Sequence, residues 1–104
     1  MAEDYAIYIG GKPFMNYVTA VVMQFTAKNA NTVVVRSRGK FISKAVDVAE
    51  VVRSRFLKDQ ISIEKMDVAS EEFQNKEGQT VRVSTLDITL KKVVEKPKSV
   101  TNKK

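Results

Sequence analysis

The chain has 104 residues, the size of a single domain, and it contains neither cysteine nor histidine. Disulfides, thiolate metal sites and cysteine nucleophiles are excluded, and the imidazole that most often serves as general base or metal ligand is absent, so no cofactor is expected. No apolar run reaches the roughly 18–20 residues of a membrane span, and the acidic start lacks a signal-peptide pattern. We therefore expect a soluble intracellular protein.

The formal net charge of +6 is distributed unevenly along the chain. Residues 12–58 carry nine Lys and Arg residues against two carboxylates, whereas residues 59–90 carry three against seven. From residue 91 onward there are six lysines and one glutamate. This polarity favours a polyanionic partner, although a basic protein can also use its charge only for solubility.

The first half of the chain predicts a strand, a helix and a second strand. Tyr5 to Ile9 is short and β-rich, and Gly10-Gly11 ends it. Pro13 suits the first position of the helix that the following apolar spacing predicts. Thr32 to Val35 is a β-branched run without alternation, which predicts a strand covered on both faces. Arg36 to Lys40 then reads as a basic loop.

The second half predicts a helix and a β-hairpin. Ser43 is a candidate N-cap for the helix. Ile61 to Val68 and Val81 to Leu90 are strands, and Asn75 to Gly78 supplies the turn between them. Within both strands the apolar alternation changes phase, which predicts a bulge or a change of buried face. The expected apolar face of the second helix consists of Ala45, Val48, Ala49, Val52 and Phe56.

The predicted order is β-α-β-α-β-β. It defines an α/β fold (an α+β two-layer sandwich) in which a mixed four-stranded sheet carries two helices. We predict one domain over residues 1–92. Residues 93–104 are lysine-rich and polar, which indicates a basic, disordered tail.

The topology predicts one functional edge. If the first two strands are parallel, their carboxyl ends lie at the same edge, and residues 10–13 and 36–41 follow them side by side. Two helices would also begin there, with free N–H groups that favour phosphate oxygens. The cationic side chains expected at this edge are Lys12, Arg36, Arg38, Lys40 and Lys44.

Simpler explanations exist for the same residues. Gly10-Gly11 can be only a turn, and it does not match a phosphate-binding P-loop. Arg36, Arg38 and Lys40 alternate, so they can also form a solvated strand end. Tyr17 fits a half-buried helix position as well as a base-stacking platform. No paired constellation for catalysis by lysine, tyrosine or carboxylate is visible, so we do not expect an enzyme.

Four segments carry a family pattern. Ile9 to Val18 (IGGKPFMNYV), Arg38 to Asp47 (RGKFISKAVD), Arg53 to Phe56 and Val83 to Leu86 together resemble the Alba family in order and spacing. The resemblance covers roughly residues 5–92. It implies the same β-α-β-α-β-β fold, with the hairpin extended as an arm.

The resemblance also implies a function. A member of this family would be a chromatin protein of the archaeal cytoplasm that binds double-stranded DNA without sequence specificity and coats and compacts it as a homodimer on the chromosome. The alternative that it implies is an RNA-binding protein in a ribonucleoprotein particle. Heterodimers with a paralogue and cooperative contacts between dimers are further expectations.

The resemblance assigns roles to particular residues. Arg55 and Phe56 would join neighbouring dimers on DNA. The chain departs from the family at Gly11, which replaces the first of two lysines and the one associated with acetylation, so that Lys12 remains as the candidate for modification. A second departure is the acidic hairpin. Together with the cations of the predicted edge, the expected nucleic-acid contacts are Lys12, Asn16, Tyr17, Arg36, Arg38, Lys40, Lys44 and Arg82.

Overall fold

The computed structural model describes residues 4–93. Six main elements follow the predicted order. A 3-10 turn at Gly39–Phe41 precedes the second helix, and a π-helical turn at Val52–Phe56 continues it. The strands and helices are β1 (Asp4–Tyr8), α1 (Phe14–Thr26), β2 (Thr32–Arg38), α2 (Ile42–Val51), β3 (Ile61–Gln74) and β4 (Thr80–Lys92).

The four strands form one mixed sheet in the order β1-β2-β4-β3. Strands β1 and β2 are parallel, whereas β4 is antiparallel to both β2 and β3. The hairpin therefore inserts its second strand beside β2 and leaves β3 at the edge. This arrangement confirms the predicted fold class and the parallel pairing on which the predicted edge depends.

The core lies between one face of the sheet and the two helices. Helix α1 contacts β1 and β2, and α2 contacts β2 and β4. The other face of the sheet carries no helix among the described residues and presents polar and half-buried side chains. None of the described helices is long and apolar enough to span a bilayer. The largest fully buried side chains are Val18, Val21, Val33, Val35, Val48, Val52, Ile88 and Leu90.

Strand β2 is longer than the sequence predicts, and only one of its faces is buried. Val33, Val35 and Ser37 point into the core, whereas Arg36 and Arg38 are exposed. The prediction of a strand covered on both faces and followed by a basic loop is therefore wrong. The strand continues because β4 pairs with it as far as Arg38, and because the inward hydroxyl of Ser37 donates a hydrogen bond to the carbonyl of Leu86 at 3.2 Å.

The second helix also differs at both ends. It follows directly from the 3-10 turn, so Phe41 occupies the N-cap position and the prediction of a Ser43 cap is wrong. At the other end Phe56 is 48% exposed and does not belong to the buried apolar face. Leu57, the residue after the π-helical turn, is buried instead. The π-helical turn shifts the helical register, which moves the last apolar contact by one residue.

The hairpin of β3 and β4 extends well beyond the predicted strands. The bulge predicted in the third strand is confirmed as a register shift between Ile63 and Lys65. Pairing then continues to Gln74 opposite Thr80, and the turn uses Gly78 at a φ of 80°. After Ile61 the side chains of β3 are exposed, so the hairpin forms an arm. Of the predicted tail, residues 94–104 lie outside the described residues.

Candidate nucleic-acid interface

The segments that follow β1 and β2 begin at the same end of the sheet. Tyr8, the last residue of β1, pairs with Arg36, and the N–H of Ile9 donates to the carbonyl of Arg36 at 2.9 Å. Because the strands are parallel, the β1–α1 loop and the 3-10 turn before α2 are neighbours. We call this end of the sheet, with residues 10–13 and 38–41, the basic edge.

The hydroxyl of Tyr17 anchors the β1–α1 loop through two hydrogen bonds. Tyr17 is buried on α1, and its oxygen accepts hydrogen bonds from the backbone N–H of Gly10 at 3.0 Å and of Lys12 at 3.1 Å. A hydroxyl oxygen has two acceptor sites, so both are used here. The structure therefore gives Tyr17 an internal position, in which its ring is not available to a stacked base.

The ammonium group of Lys44 holds the same loop through its carbonyls. Lys44 projects from the first turn of α2, and its Nζ donates to the carbonyl oxygens of Gly10 at 2.8 Å and of Lys12 at 2.6 Å. The same Nζ lies 5.0 Å from the centre of the Tyr17 ring, within the range of a cation–π contact. The N–H groups and the carbonyls of Gly10 and Lys12 thus all have hydrogen-bond partners, which fixes the backbone that carries the Lys12 side chain.

Three glycines of the basic edge, Gly10, Gly11 and Gly39, differ in the room that they leave for a side chain. A Cβ on Gly10 would lie 3.4 Å from the Tyr17 hydroxyl, whereas a Cβ on Gly11 would meet no atom within 4 Å. Gly39 has a φ of 58°, a left-handed conformation that favours glycine, and it turns the chain from β2 into the 3-10 turn. Gly11 therefore has open space for a side chain, whereas a Cβ on Gly10 would contact the Tyr17 hydroxyl and a side chain at Gly39 would strain the backbone.

Lys12 and Asn16 line a groove beside the free edge of β1. Both residues are exposed, and the groove has a volume of about 500 Å³. Ala6 and Tyr8 form its strand side, and Tyr17 contributes from the helix side. Lys12 is therefore presented to solvent by a loop whose backbone is fixed.

The arginines of β2 lie on the open face of the sheet beside acidic residues. Arg36 Nε is 3.7 Å from a carboxylate oxygen of Asp87, and Arg38 Nη2 is 3.2 Å from Glu71. The guanidinium carbon of Arg38 also lies 5.9 Å from the centre of the Phe73 ring. All four charged groups are partly exposed, so these pairs are weak and open to competition by phosphates.

Three further candidates occupy different places. Lys40 is exposed in the 3-10 turn, where its Nζ lies 5.5 Å from the Phe41 ring centre. Arg82 is on the hairpin arm, 2.9 Å from a carboxylate oxygen of Glu72. Arg55 is exposed near the end of α2, away from the loops at its start. The structure thus brings Lys12, Asn16, Tyr17, Arg36, Arg38, Lys40 and Lys44 to one end, and it leaves Arg82, Arg55 and Phe56 apart from them.

Sequence reasoning missed the residues that surround the arginines. Asp87, Glu71 and Phe73 reach Arg36 and Arg38 only because β4 and the hairpin arm run beside β2, a strand order that the sequence did not reveal. Tyr8, by contrast, could have been found. Tyr8 is the last residue of β1, and the alternation that exposes it and buries Ile9 directly after the strand can be predicted from the sequence.

The fold and this edge define a small α+β domain with a fixed basic loop at one end of its sheet. The Alba family profile matches residues 6–70. Over 92 residues the chain is 46% identical to the "DNA/RNA-binding protein Alba" of Methanocella arvoryzae, covering 88% of this chain and 94% of that protein. It is 48% identical over 90 residues to the protein of the same name from Thermoplasma acidophilum, covering 86% and 98%. The chain belongs to the Alba family.

Two solved structures share this fold. Alba from Thermoplasma volcanium superposes with a TM-score of 0.75 at 46% identity, over 83% of this chain and 98% of that one. An Alba protein of Trypanosoma brucei has the same fold at 17% identity, with a TM-score of 0.63 over 84% of this chain and 68% of that one. The relatives are named for binding nucleic acids and not for a reaction, in agreement with the expectation that the chain is not an enzyme.

Proposed function

We propose that the protein binds the phosphate backbone of double-stranded DNA and coats the duplex without sequence preference. The observation that carries the proposal is the fixed β1–α1 loop. Tyr17 and Lys44 form hydrogen bonds with the backbone of Gly10 and Lys12, so the loop holds the exposed Lys12 in a preorganised position near the arginines of β2. The relatives carry the name DNA/RNA-binding protein, which supports the same class of partner.

The mechanism is neutralisation of phosphates by the basic edge. Each contact between a cation and a phosphate releases condensed counterions, so affinity falls as salt rises. The cations of the basic edge lie on a loop, a strand end and a 3-10 turn, and not along one helix that could enter the major groove. Backbone contacts position a protein without reading sequence. Lys12, Arg38 and Lys40 are the side chains that we assign to these contacts.

A homodimer is part of the proposal, supported by uncovered apolar side chains on β3. Ile63, Met66 and Val68 are 37%, 48% and 76% exposed. Their cross-strand neighbours on β4 are Leu90, Ile88 and Leu86, which are buried in the core. The apolar surface of the core therefore continues onto the edge strand, and a second copy of the chain would cover it.

Coating of long DNA requires contacts between dimers. Arg55 and Phe56 are exposed at the end of α2 opposite the basic edge, where they are accessible while the edge is occupied. We assign to them the contact between neighbouring dimers. The protein would then act on the chromosome as a compacting coat, with Lys12 as its candidate acetylation site.

RNA is the second candidate partner. The relatives are named for both nucleic acids, and contacts to phosphates distinguish poorly between the two backbones. An A-form helix would have to fit the same basic edge and hairpin arm. The choice between the partners therefore depends on a direct comparison of affinities.

The test is a salt titration of binding to duplex DNA and duplex RNA of matched length and sequence. The variants are Lys12→Ala and Arg38→Ala, and the control is Lys28→Ala, which removes an exposed charge after the far end of α1. Loss of one phosphate contact should reduce the slope of log K against log salt by about 0.9 on DNA. Lys28→Ala should keep the slope of the unmodified protein.

The outcomes separate the candidates. Tight, salt-sensitive binding to DNA that weakens in both variants supports the proposed coat. A strong preference for RNA moves the assignment to a ribonucleoprotein. Binding that Lys28→Ala weakens as much as Lys12→Ala would contradict a role for the basic edge.

A further inference from the structure

Tyr8 is the most exposed aromatic side chain among the described residues, and the core does not explain it. Along β1 the side chains of Tyr5 and Ile7 pack against the core, and alternation turns Tyr8 to the open face of the sheet. Its exposure is 67%, compared with 48% for Phe56. Exposure of a large aromatic ring to water costs free energy unless a partner covers it.

Arg36 contacts the ring of Tyr8 from one side. The guanidinium carbon lies 5.9 Å from the ring centre, and Nη1 is 3.4 Å from the phenol oxygen. Asp87 pairs with the same guanidinium from the other side, at 3.7 Å. The ring therefore has a defined neighbour and an accessible surface, which are the properties of a stacking platform.

Two depressions meet at Tyr8. On one side is the groove of about 500 Å³ that Lys12 and Asn16 line. On the other side is a cleft of about 310 Å³ on the open face, lined by Arg36, Arg38 and their acidic partners. Tyr8 borders both, so a chain of nucleotides that crosses the ring would have cations on either side of it. The carboxylates of the cleft are paired with arginines and do not leave it negative.

We propose that Tyr8 stacks an unpaired base of single-stranded nucleic acid, whose backbone runs between the Lys12 groove and the Arg38 side of the cleft. The inference rests on the proposed function and deepens it, because it assigns one residue to the recognition of an unpaired base. In a duplex the bases are stacked inside the helix and their faces are closed to a side chain. In a single strand an unstacked base presents its face, and the combination of an aromatic platform with flanking cations recognises it.

The experiment compares single-stranded and duplex ligands. Binding of Tyr8→Ala, Tyr8→Phe and unmodified protein is measured with an oligothymidylate, with an abasic strand of the same length, and with a blunt duplex. Met23→Ala is the control, because Met23 is also exposed but lies on α1 outside both depressions. Tyr8→Trp adds an independent signal, since the chain has no tryptophan and the fluorescence of the new ring reports stacking directly.

The expected result is a loss specific to the single strand with bases. Tyr8→Ala should weaken binding to the oligothymidylate by roughly fivefold to hundredfold, the range for loss of one aromatic stack. Tyr8→Phe should keep the affinity of the unmodified protein for the oligothymidylate. The abasic strand and the duplex should each bind all variants with equal affinity. The oligothymidylate should quench the fluorescence of Tyr8→Trp.

Other outcomes overturn the inference. An equal loss for the oligothymidylate, the abasic strand and the duplex would make Tyr8 a structural residue. The stacking role of Tyr8 would be contradicted by an unchanged affinity of Tyr8→Ala for the oligothymidylate. It would also be contradicted if the unmodified protein did not bind that strand. In either case, binding of the duplex would leave the proposed function intact. Failure to bind any of the ligands would overturn both.

Discussion

The ammonium group of Lys44 donates a hydrogen bond to the carbonyl oxygen of Lys12, with Nζ and O 2.6 Å apart. Lys44, at the start of α2, is thus engaged in holding the loop of the basic edge that presents Lys12. A cation whose hydrogen bonds are used inside the protein is less available to a phosphate than one whose ammonium group faces solvent. The two lysines therefore have different expected roles, although the sequence predicts both as contacts.

Replacement of Lys44 separates these roles. Lys44→Met keeps most of the side-chain stem and removes the hydrogen bonds to Gly10 and Lys12. The free energy of unfolding should fall by about 1–2 kcal/mol, because hydrogen bonds from a charged donor are lost. DNA affinity should fall while the salt slope changes less than in Lys12→Ala. Lys58→Met, which removes an exposed charge elsewhere, is the control for thermal or denaturant unfolding. A salt slope reduced as much as in Lys12→Ala would instead indicate that Lys44 contacts a phosphate.

Gly11 accepts a lysine without strain. A Cβ there meets no atom within 4 Å, and Gly11 is not among the residues with positive φ. Gly11→Lys should therefore fold normally, bind duplex DNA more tightly and increase the salt slope by about 0.9 for one new phosphate contact. Gly11→Ala is the matched control for the backbone effect. Weaker binding of the lysine variant than of the alanine variant would show that this position does not face the nucleic acid.

The carboxylate of Glu71 competes with phosphates for Arg38. The pair is 3.2 Å apart and both side chains are 55% exposed, so its contribution to stability is small. Glu71→Gln should leave the unfolding midpoint nearly unchanged and raise affinity for duplex DNA by up to about fivefold. Glu50→Gln, which breaks the pair with Arg53 on the second helix, should have no such effect on a short duplex. A lower affinity of Glu71→Gln than of the unmodified protein would mean that the carboxylate orients Arg38 productively.

The exposed apolar side chains of β3 predict which substitution disrupts the proposed dimer. Val68 is 76% exposed, so Val68→Glu should not disturb the fold of one chain, but it would place a charge in the interface. Light scattering should give twice the chain mass of 11.7 kDa for the unmodified protein and a single chain mass for the variant. Met23→Glu on α1 should remain a dimer. A dimer that survives Val68→Glu would place the interface elsewhere.

The exposed ring of Phe56, which we assign to contacts between dimers, should make binding to long DNA cooperative. Its ring is 48% exposed at the end of α2, away from the basic edge. Phe56→Ala should lower the Hill slope on long DNA and leave the affinity for a duplex that holds one dimer nearly unchanged. Met23→Ala controls for loss of an exposed apolar side chain. An unaltered Hill slope would contradict the assignment of Phe56 to contacts between dimers.

Much of this architecture follows from the sequence because it depends on local patterns. Apolar periodicity gives both helices, and the parallel pairing of β1 and β2 brings their following loops together. The sequence does not reveal that β4 lies beside β2, because strand order depends on pairing between distant residues. For that reason the sequence predicts that β2 ends at Val35, whereas pairing with β4 extends it to Arg38.

The candidate site shows the same division. The cations of the basic edge are predictable from residue type and loop position. The internal role of Tyr17 is not, because the positions of its hydrogen bonds to Gly10 and Lys12 depend on the path of the loop in three dimensions. The partners of Arg36 and Arg38 are likewise on elements distant in sequence, so a charged pattern alone gives exposed cations without their ion pairs.

Amide NMR can show whether the β1–α1 loop and the 3-10 turn after β2 form one contact surface for duplex DNA. Labelled protein is titrated with a short duplex, and shift changes are mapped along the chain. We predict that the amide signals of Gly10, Lys12 and Gly39 shift with the same titration midpoint, while the signals of Asp59 and Gln60 do not shift. Changes concentrated at residues 59–60, with the loop amides unaffected, would contradict the account.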